Sequence, residues 1–355
     1  MLSGLDVKGR VDAGKVRAIH REGIRMKESL IVRIVALAGF SAGLCLGAFA
    51  ADKPETVIAV IPKGTTHEFW KSIHAGAVKA ERELNVKTIW KGPLKEDDRE
   101  QQIRVVENFI SQRVSGIVLA PLDDVALRGP VSAAMKAGIP VVIMDSGLKS
   151  EDYVSFVATD NYKGGMMAGE HLASLLNGEG KVVMLRYQEG SASTMEREKG
   201  FLDAIAKFQG IRVVSANQYG GATTESAYKA SENLLNPLKQ GGKLTIDGIF
   251  CPNESTTFGM LRALQDGGLA GAVKFVGFDS SEKLVEALRN GSIHGLILQN
   301  PMKMGYLGVK TLVSHLRGEK VEKRIDTGVT LVTRENMDQP QIRELLVPDL
   351  SQWLE

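Results

Sequence analysis

Residues 57–77 read VIAVIPKGTTHEFWKSIHAGA, and this stretch predicts a strand, a turn and a helix in succession. The apolar run at its start predicts a buried β-strand, because five consecutive apolar residues leave no strand face for solvent. A Pro-Lys-Gly turn follows, and apolar residues then recur at spacings of three and four, as on the buried face of a helix. Thr65 and Glu68 have the spacing of a capping box, which predicts that this helix begins near Thr66.

Two aromatic residues of this stretch, Phe69 and Trp70, are the first candidate functional residues. They follow the carboxyl end of a strand, which is the edge where open α/β sheets bind ligands. The alternative is that both are core residues, since aromatic side chains are mostly buried in any case. The choice depends on whether other polar groups meet at the same edge.

Strand and helix patterns alternate from Thr56 onwards without a break. A first series runs to a strand at 153–158, and a second series starts with a strand at 181–185. Strands that alternate with helices predict parallel sheets built from βαβ units. Two such series predict two doubly wound α/β lobes rather than one very wide sheet. No linker rich in Pro, Ser or Gly separates the series, which favours lobes joined by a hinge of short crossings.

The 355 residues carry a net charge of +2, and this charge is unevenly distributed. Residues 1–50 contain eight Lys and Arg against four Asp and Glu, which leaves 36 basic and 38 acidic residues in the remaining chain. The body of the protein therefore has no basic surplus with which to neutralise phosphates. Nucleic acid is not expected as a partner.

Residues 1–50 predict an upstream extension followed by a signal peptide at Met26–Ala50. A charged start, an apolar core at 34–49 and the pattern Ala48-Phe49-Ala50 are typical of a cleavable secretory signal. The core is short for a stable membrane span, and an uncleaved anchor is the alternative. Cleavage would leave Cys251 as the sole cysteine, which predicts a buried thiol and no internal disulfide. The predicted signal peptide leads us to expect a periplasmic protein.

Several apolar strands end on one side chain that forms strong hydrogen bonds. Asp145 and Asp279 each follow one such strand, Asn253 and Gln299 follow two others, and Arg197 lies on the first turns of a helix. Carboxylates accept hydrogen bonds, guanidinium groups donate them and amides do both, which together suit the hydroxyls of a sugar or polyol. The set therefore predicts a polyhydroxylated ligand at the carboxyl edges of the strands.

The apolar faces of a sugar ring also need flat walls, which Phe69 and Trp70 would supply on one side and Tyr219 on another. Taken singly, the polar residues have plain structural alternatives. Asp279 is also placed to be the N-cap of the next helix. Arg197 lies in the run Glu196-Arg197-Glu198-Lys199, which is typical of a solvated helix face.

From about Thr56 to Val332 the chain resembles the periplasmic binding proteins of the ribose and galactose class, the type I solute-binding proteins of ABC transporters. The resemblance rests on ordered segments: HEFWKSIHAGA, GIVLAPLD, GIPVVIMDS, VATDNYKGGMMAG, GSASTMEREKGF, CPNESTTFGMLRAL, FVGFDSS and ILQNPMKMGYLGV. It implies two Rossmann-like lobes with parallel sheets, joined by three crossings and closing on a ligand. The implied lobes are 54–159 plus 300–328, and 160–299 plus 329–355.

The resemblance also assigns roles to residues of this sequence. It implies that Phe69 and Trp70 form the aromatic wall, that Asp145 binds hydroxyls from the first lobe, and that the second lobe and hinge contribute Arg197, Asn253, Asp279 and Gln299. Two positions depart from the ribose pattern. His67 stands where ribose-binding proteins usually have Asn, and Ser146 stands where they have Arg, which removes a bidentate donor. We therefore expect a sugar other than D-ribose.

The predicted function is capture of a monosaccharide or polyol and its delivery to an ABC transporter permease, by a monomer without cofactor or bound metal. One alternative is a sugar- or autoinducer-sensing protein that presents its ligand to a membrane receptor. Another is a glycosidase that uses Asp145 and Asp279 as its carboxylate pair, but no other catalytic motif accompanies them. A sugar-responsive transcription regulator would need an N-terminal DNA-binding segment, and residues 1–50 predict a signal instead.

Overall fold

The computed structural model describes residues 55–354. The predicted extension and signal peptide lie outside these residues. The elements, in chain order, are β1 (Val57–Ile61), α1 (Glu68–Leu84), β2 (Lys87–Trp90), α2 (Arg99–Ser111), β3 (Gly116–Leu119), α3 (Arg128–Lys136), β4 (Val141–Met144), β5 (Ser155–Ala158), α4 (Asn161–Leu175), β6 (Glu179–Arg186), α5 (Ala192–Ile205), β7 (Gly210–Tyr219), α6 (Thr224–Leu235), β8 (Lys239–Gln240), β9 (Lys243–Leu244), β10 (Gly248–Phe250), α7 (Glu254–Asp266), β11 (Lys274–Phe278), α8 (Glu282–Asn290), β12 (Gly295–Leu298), α9 (Pro301–Leu316), β13 (Arg324–Asp326), β14 (Thr330–Val332) and α10 (Pro340–Leu346).

Two six-stranded sheets organise the chain, which confirms the predicted doubly wound α/β architecture. The first has the strand order β13-β5-β4-β3-β1-β2, and all its strands are parallel. The second has the order β14-β12-β11-β10-β6-β7, with β14 alone antiparallel. We call the layers around these sheets the first and second lobe. Each sheet has a buried apolar cluster on both faces, as parallel sheets covered by helices require.

The chain passes between the two sheets three times, after β5, after β12 and after β13. After β12 it returns to the first lobe as α9, whose apolar residues join the core cluster that covers one face of the first sheet. Short crossings of this kind permit hinge motion of one lobe against the other.

Glycines let one helix pair in each lobe approach closely. In the first lobe α1 and α9 meet at Gly76 and Gly305, where a Cβ atom would come within 2.0 Å of the facing helix backbone. In the second lobe α4 and α5 meet in the same way at Gly165 and Gly200. Any larger residue would force these helices apart. The close packing holds α1 against α9 and α5 against α4, and α1 and α5 both carry predicted ligand residues.

Two predicted helix starts differ from the structure. α1 begins at Glu68, and its N-cap residue His67 makes no side-chain cap, so the predicted capping box with Thr65 does not form. The sequence pattern at 123–137 predicts a helix from Asp123, but α3 begins at Arg128. The carboxylate of Asp123 instead accepts from the backbone N–H groups of Val125 and Ala126, at 2.9 and 2.8 Å, which stabilises a turn.

The C-terminal segment after β14 contacts both lobes. Ile342 and Leu346 of α10 are buried in the core of the second lobe. Further on, Lys79 and Arg82 of α1 in the first lobe lie over the ring of Trp353, each 5.3 Å from its centroid. The helices between residues 55 and 354 include none with the length and hydropathy needed to cross a membrane.

Candidate ligand-binding site

A cleft between the lobes is lined by residues that follow the carboxyl ends of strands in both sheets. Its lining residues are Lys63, His67, Phe69, Trp70, Glu96, Asp145, Tyr187, Ser191, Ser193, Thr194, Arg197, Asn253, Glu254, Asp279 and Gln299. The cavity measures about 30 Å³, which is room for a water molecule or two. A monosaccharide is much larger, so a ligand of that size enters only when the lobes move apart.

The two strand-end aspartates have the same unusual backbone conformation. Asp145 follows β4 with φ of 61°, and Asp279 follows β11 with φ of 66°. Each still donates its backbone N–H to the neighbouring strand, at 3.0 Å to the Val157 carbonyl and 2.9 Å to the Ile297 carbonyl. Left-handed non-glycine residues cost of order 1–3 kcal/mol and cluster at functional sites. The conformation turns the chain sharply at the cleft edge of both sheets.

Asp279 is not the cap of the helix that follows it, because the N-cap of α8 is Ser281. Its carboxylate accepts from Gln299 Nε2 at 2.7 Å and lies 3.8 Å from Arg197 Nη1. Burial raises the pKa of Asp279, against the opposing effects of Arg197 and Gln299. Gln299 Oε1 is buried and has no hydrogen-bond partner within residues 55–354, which leaves one acceptor available in the cleft.

Arg197 is a buried residue and not part of a solvated charge run. It is 2% exposed, whereas Glu196 and Lys199 on the same helix are exposed. Its Nε donates to Asn161 at 2.8 Å and its Nη1 donates to the Pro252 carbonyl at 3.0 Å. The guanidinium also lies 3.9 Å from the ring centroid of Phe278, a stacking geometry that favours Arg over Lys. All these contacts lie within the second lobe.

Lys63, which directly follows the first strand and its proline, was not predicted as a site residue. It is 3% exposed, and its Nζ lies 2.9 Å from Asp145 Oδ2. The same ammonium donates to Ser193 at 3.0 Å and to Ser191 at 3.4 Å, both in the second lobe. A lysine at this depth needs such partners, because an unpaired buried charge is costly. Lys63 therefore balances the charge of Asp145 and links the lobes.

Glu96 holds the aromatic wall and was also missed. It accepts from Trp70 Nε1 at 2.7 Å and from the hydroxyl of Tyr187, across the cleft, at 2.7 Å. Trp70 is 2% exposed and packs in the core of the first lobe, so it belongs to both the core and the cleft. Phe69 is less buried and meets Trp70 edge to face, with 5.0 Å between ring centroids.

His67 forms an ion pair with the same carboxylate, with 2.6 Å between its Nδ1 and Glu96 Oε1. Burial lowers the pKa of His67, but Glu96 outweighs this effect and raises it to about 9. Burial likewise raises the pKa of Glu96, but His67, Lys63 and Trp70 together lower it to about 2. The imidazole is therefore protonated at neutral pH and acts as a donor only.

The side chain of Asn253 caps α7. It accepts from the backbone N–H of Thr256 at 3.3 Å and donates through Nδ2 to Ser255 at 3.1 Å. Nδ2 has a second N–H, and Asn253 lines the cavity. Asn253 therefore caps α7 and also presents an N–H group at the cavity.

Ser146 and Tyr219, both predicted as site residues, do not line this cavity. Ser146 is fully buried beside it and accepts from the backbone N–H of Ser193 at 3.0 Å, which makes it a contact between the lobes. Tyr219 is 38% exposed at the end of β7, with Arg186 5.0 Å from its ring centroid. The predicted second aromatic wall has no structural support.

The residues missed by sequence reasoning have different origins. Lys63 follows β1 as Asp145 follows β4, so the rule that strand ends carry the site would have found it. Glu96 lies in a loop between β2 and α2, where no periodicity marks it. Within the described residues, no group of three or more His, Cys, Asp or Glu side chains is arranged to hold a metal ion. Cys251 is free and buried, as predicted.

The chain is similar to known sugar-binding proteins over most of its length. A D-ribose/D-allose-binding protein of Pseudomonas aeruginosa is 29% identical over 322 residues, which cover 87% of this chain and 99% of that protein. A D-allose-binding periplasmic protein of Escherichia coli is 30% identical over 300 residues, covering 80% of this chain and 91% of that one.

Solved structures show the same fold. A solute-binding protein from Agrobacterium radiobacter, in complex with D-arabinose, has a TM-score of 0.78 at 36% identity and covers 83% of this chain and 99% of its own. A second solute-binding protein, from Agrobacterium vitis with bound D-fucose, has a TM-score of 0.78 at 34% identity. The match covers 82% of this chain and 100% of that protein's chain. The family model described as periplasmic binding protein domain matches residues 58–320. The chain therefore belongs to the periplasmic binding protein family, as its sequence resemblance predicted.

Proposed function

We propose that this protein captures a neutral monosaccharide or polyol between its two lobes and delivers it to an ABC transporter permease. The observation that carries the proposal is the meeting of both strand-end aspartates, Arg197 and the unpartnered Gln299 Oε1 beside the aromatic pair in one cleft. Ligand hydroxyls would satisfy these groups, and an apolar sugar face would pack on the aromatic rings. Relatives solved with D-arabinose and D-fucose support this ligand class.

Charge balance favours an uncharged ligand. Three carboxylates in the cleft have side-chain partners: Lys63 for Asp145, His67 for Glu96, and Arg197 with Gln299 for Asp279. The fourth, Glu254, accepts from two backbone N–H groups, and burial raises its pKa to about 7. An anionic or cationic ligand would leave one member of these pairs unbalanced in a buried site, at high cost. The same pairing, together with relatives that are binding proteins, supports a protein without catalytic activity.

The proposal includes the organisation around the site. The lobes would comprise 54–159 plus 300–328, and 160–299 plus 329–355, moving about the three crossings. A ligand that contacts both lobes stabilises the closed form, which would then dock on the permease. Secretion to the periplasm by the signal at Met26–Ala50, and a monomeric state, are parts of the same proposal.

Thermal unfolding of the chain from residue 51 in the presence of pentoses, hexoses and polyols tests this function. A ligand at a hundred times its Kd adds about 2.7 kcal/mol of stability, which raises Tm by several degrees. Because Trp70 is also a core residue, Phe69→Ala is the cleaner test of the aromatic wall and should remove most of the shift. The absence of a shift with every sugar and polyol would contradict the proposal.

A further inference from the structure

The helix that carries the aromatic wall has no N-terminal cap from its own lobe. The N-cap residue of α1 is His67, whose side chain is paired with Glu96 and makes no cap hydrogen bond. The first N–H groups of a helix lack partners inside the helix and need an outside acceptor. α6 and α7 both obtain one from a capping box within their own sequence.

The missing cap comes from the other lobe. Glu254, the first residue of α7, lies across the cleft with its Oε2 3.2 Å from the backbone N of Phe69 and its Oε1 3.4 Å from that of Glu68. The backbone N–H of Glu254 donates in turn to Asp279 at 3.3 Å, which holds the first residue of α7 beside Asp279 in the second lobe. A carboxylate at this position also interacts favourably with the helix dipole.

The contact exists only while the lobes are closed. Glu254 belongs to the second lobe and α1 to the first, so opening separates the acceptor from both N–H groups and leaves them to water. Other polar contacts between the lobes, such as those from Lys63 to Ser193, from Tyr187 to Glu96 and from the Ser193 N–H to Ser146, involve other parts of the cleft. Glu254 alone among them grips the backbone of the turn that carries Phe69 and Trp70.

We propose that Glu254 is a positioning residue that completes the N-terminal cap of α1 when the lobes close and thereby sets the aromatic wall against the ligand. As far as it concerns sugar binding, this inference rests on the proposed function. Two charged groups face Glu254: His67 from the first lobe and Asp279 from its own. Burial and Asp279 raise the pKa of Glu254 to about 7, against the opposing effects of His67 and the two backbone N–H donors, which favour the ionised carboxylate.

The first test needs no sugar. Ser193 N lies 3.0 Å from Ser146 Oγ across the cleft, so Ser146→Cys with Ser193→Cys is the pair chosen to lock the lobes closed, and loss of free thiol on oxidation checks that the disulfide has formed. In this locked protein, hydrogen exchange of the Glu68 and Phe69 amides should be at least tenfold faster with Glu254→Ala, with an intermediate rate for Glu254→Gln. Glu282→Ala changes the exposed first residue of α8 and serves as the matched control with no effect. Equal exchange with and without Glu254 would overturn the proposal.

The second test uses the sugar that gives the largest thermal shift, without the disulfide. Glu254→Ala should raise its dissociation rate at least tenfold and change its association rate by less than about twofold, since interface changes act mainly on dissociation. An unchanged dissociation rate contradicts the role in binding. If no sugar binds the unaltered chain, the proposed function fails, while the exchange test still decides whether Glu254 caps α1. If Glu254→Ala does not fold, the Glu254→Gln measurement decides.

Discussion

The two halves of the cleft place an aspartate in the same way but balance its charge differently. Asp145 in the first lobe and Asp279 in the second both follow a central strand in the left-handed conformation. Asp145 pairs with Lys63, whose ammonium also donates to serines of the opposite lobe. Asp279 is held by Gln299 and faces Arg197, whose own hydrogen bonds stay within the second lobe.

This difference indicates that the hydrogen bonds of Arg197 persist when the lobes open, whereas those from Lys63 to the serines form only on closing. Glu96 follows the pattern of the first lobe, since one of its three donors is Tyr187 of the second lobe. Because the side chains of the second lobe are already held in place, the first ligand contacts there cost less conformational entropy. Because the contacts from the first lobe to the second form only on closing, ligand binding and closure favour each other.

Removing Arg197 should have the largest effect on the fold. Arg197→Ala leaves Asp279 buried without its cation, which lowers the free energy of unfolding by about 3–5 kcal/mol even without ligand. Arg197→Lys should restore little of this lost stability, because a lysine cannot reproduce the planar set of donors or the stacking on Phe278. Denaturant unfolding of the ligand-free variants measures both. A loss below 1 kcal/mol for Arg197→Ala would show that the second half is not a preformed network.

Removing Lys63 should act mainly on binding. Lys63→Met leaves Asp145 unpaired in the closed form, whereas in the open form that carboxylate faces water. We expect sugar affinity to fall by about ten- to a hundredfold, equivalent to about 1.4–2.8 kcal/mol, with a smaller loss of ligand-free stability than for Arg197→Ala. Lys149→Met, which removes an exposed lysine paired with Asp124, is the control. Titration calorimetry measures the affinities, and equal values for the two lysine variants would contradict the comparison.

The two halves should also respond to different ranges of pH. Because the pKa of His67 is raised from 6.5 to about 9, its pair with Glu96 is fully stabilising below pH 6.5 and is lost as pH rises through 9. Burial raises the pKa of Glu254 from 4.5 to about 7, so folding is disfavoured progressively as pH rises from 4.5 to 7. The free energy of unfolding should be measured from about pH 4.5 to 9.5, a range that spans both pKa shifts. The loss of stability near pH 9 should be absent in His67→Gln, and the loss between pH 4.5 and 7 should be absent in Glu254→Gln. If the unaltered protein and both variants lost stability in parallel across this pH range, His67 and Glu254 would not be the groups responsible.

The smallest effect is expected at Tyr219. Its ring is exposed and contacts Arg186, so Tyr219→Ala should lower stability by at most about 1 kcal/mol, the value of an exposed cation–π contact. Sugar affinity should stay within about twofold, as for surface changes away from a site. Fluorescence titration of this variant beside Phe69→Ala compares the two predicted walls. A large loss of affinity at Tyr219 would restore it as a second wall.

Local sequence patterns predicted the sheets and most strand-end residues of the site. Asp145, Asp279, Asn253 and Gln299 were found because each ends an apolar run, and parallel strands bring their carboxyl ends to one edge. These are properties of single βαβ units. They do not depend on how the two lobes meet.

Contacts between the lobes could not be predicted in this way. The capping box predicted from Thr65 failed because the acceptor for α1 is Glu254, which lies far along the chain in the other lobe. Glu96 was missed because its position depends on a loop path and on Tyr187 across the cleft. Tyr219 was expected to form a wall because it is aromatic, but the path of β7 carries it to the surface.

The central claim is that a neutral sugar binds between the lobes and contacts both aspartates. A crystal structure of the chain from residue 51 with the sugar that gives the largest thermal shift tests it most directly. We predict ligand hydroxyl oxygens within 3.2 Å of both Asp145 and Asp279, at ordinary hydrogen-bond distances, with the ring against Phe69 and Trp70. A sugar outside the cleft, or one that contacts a single lobe, would contradict the account.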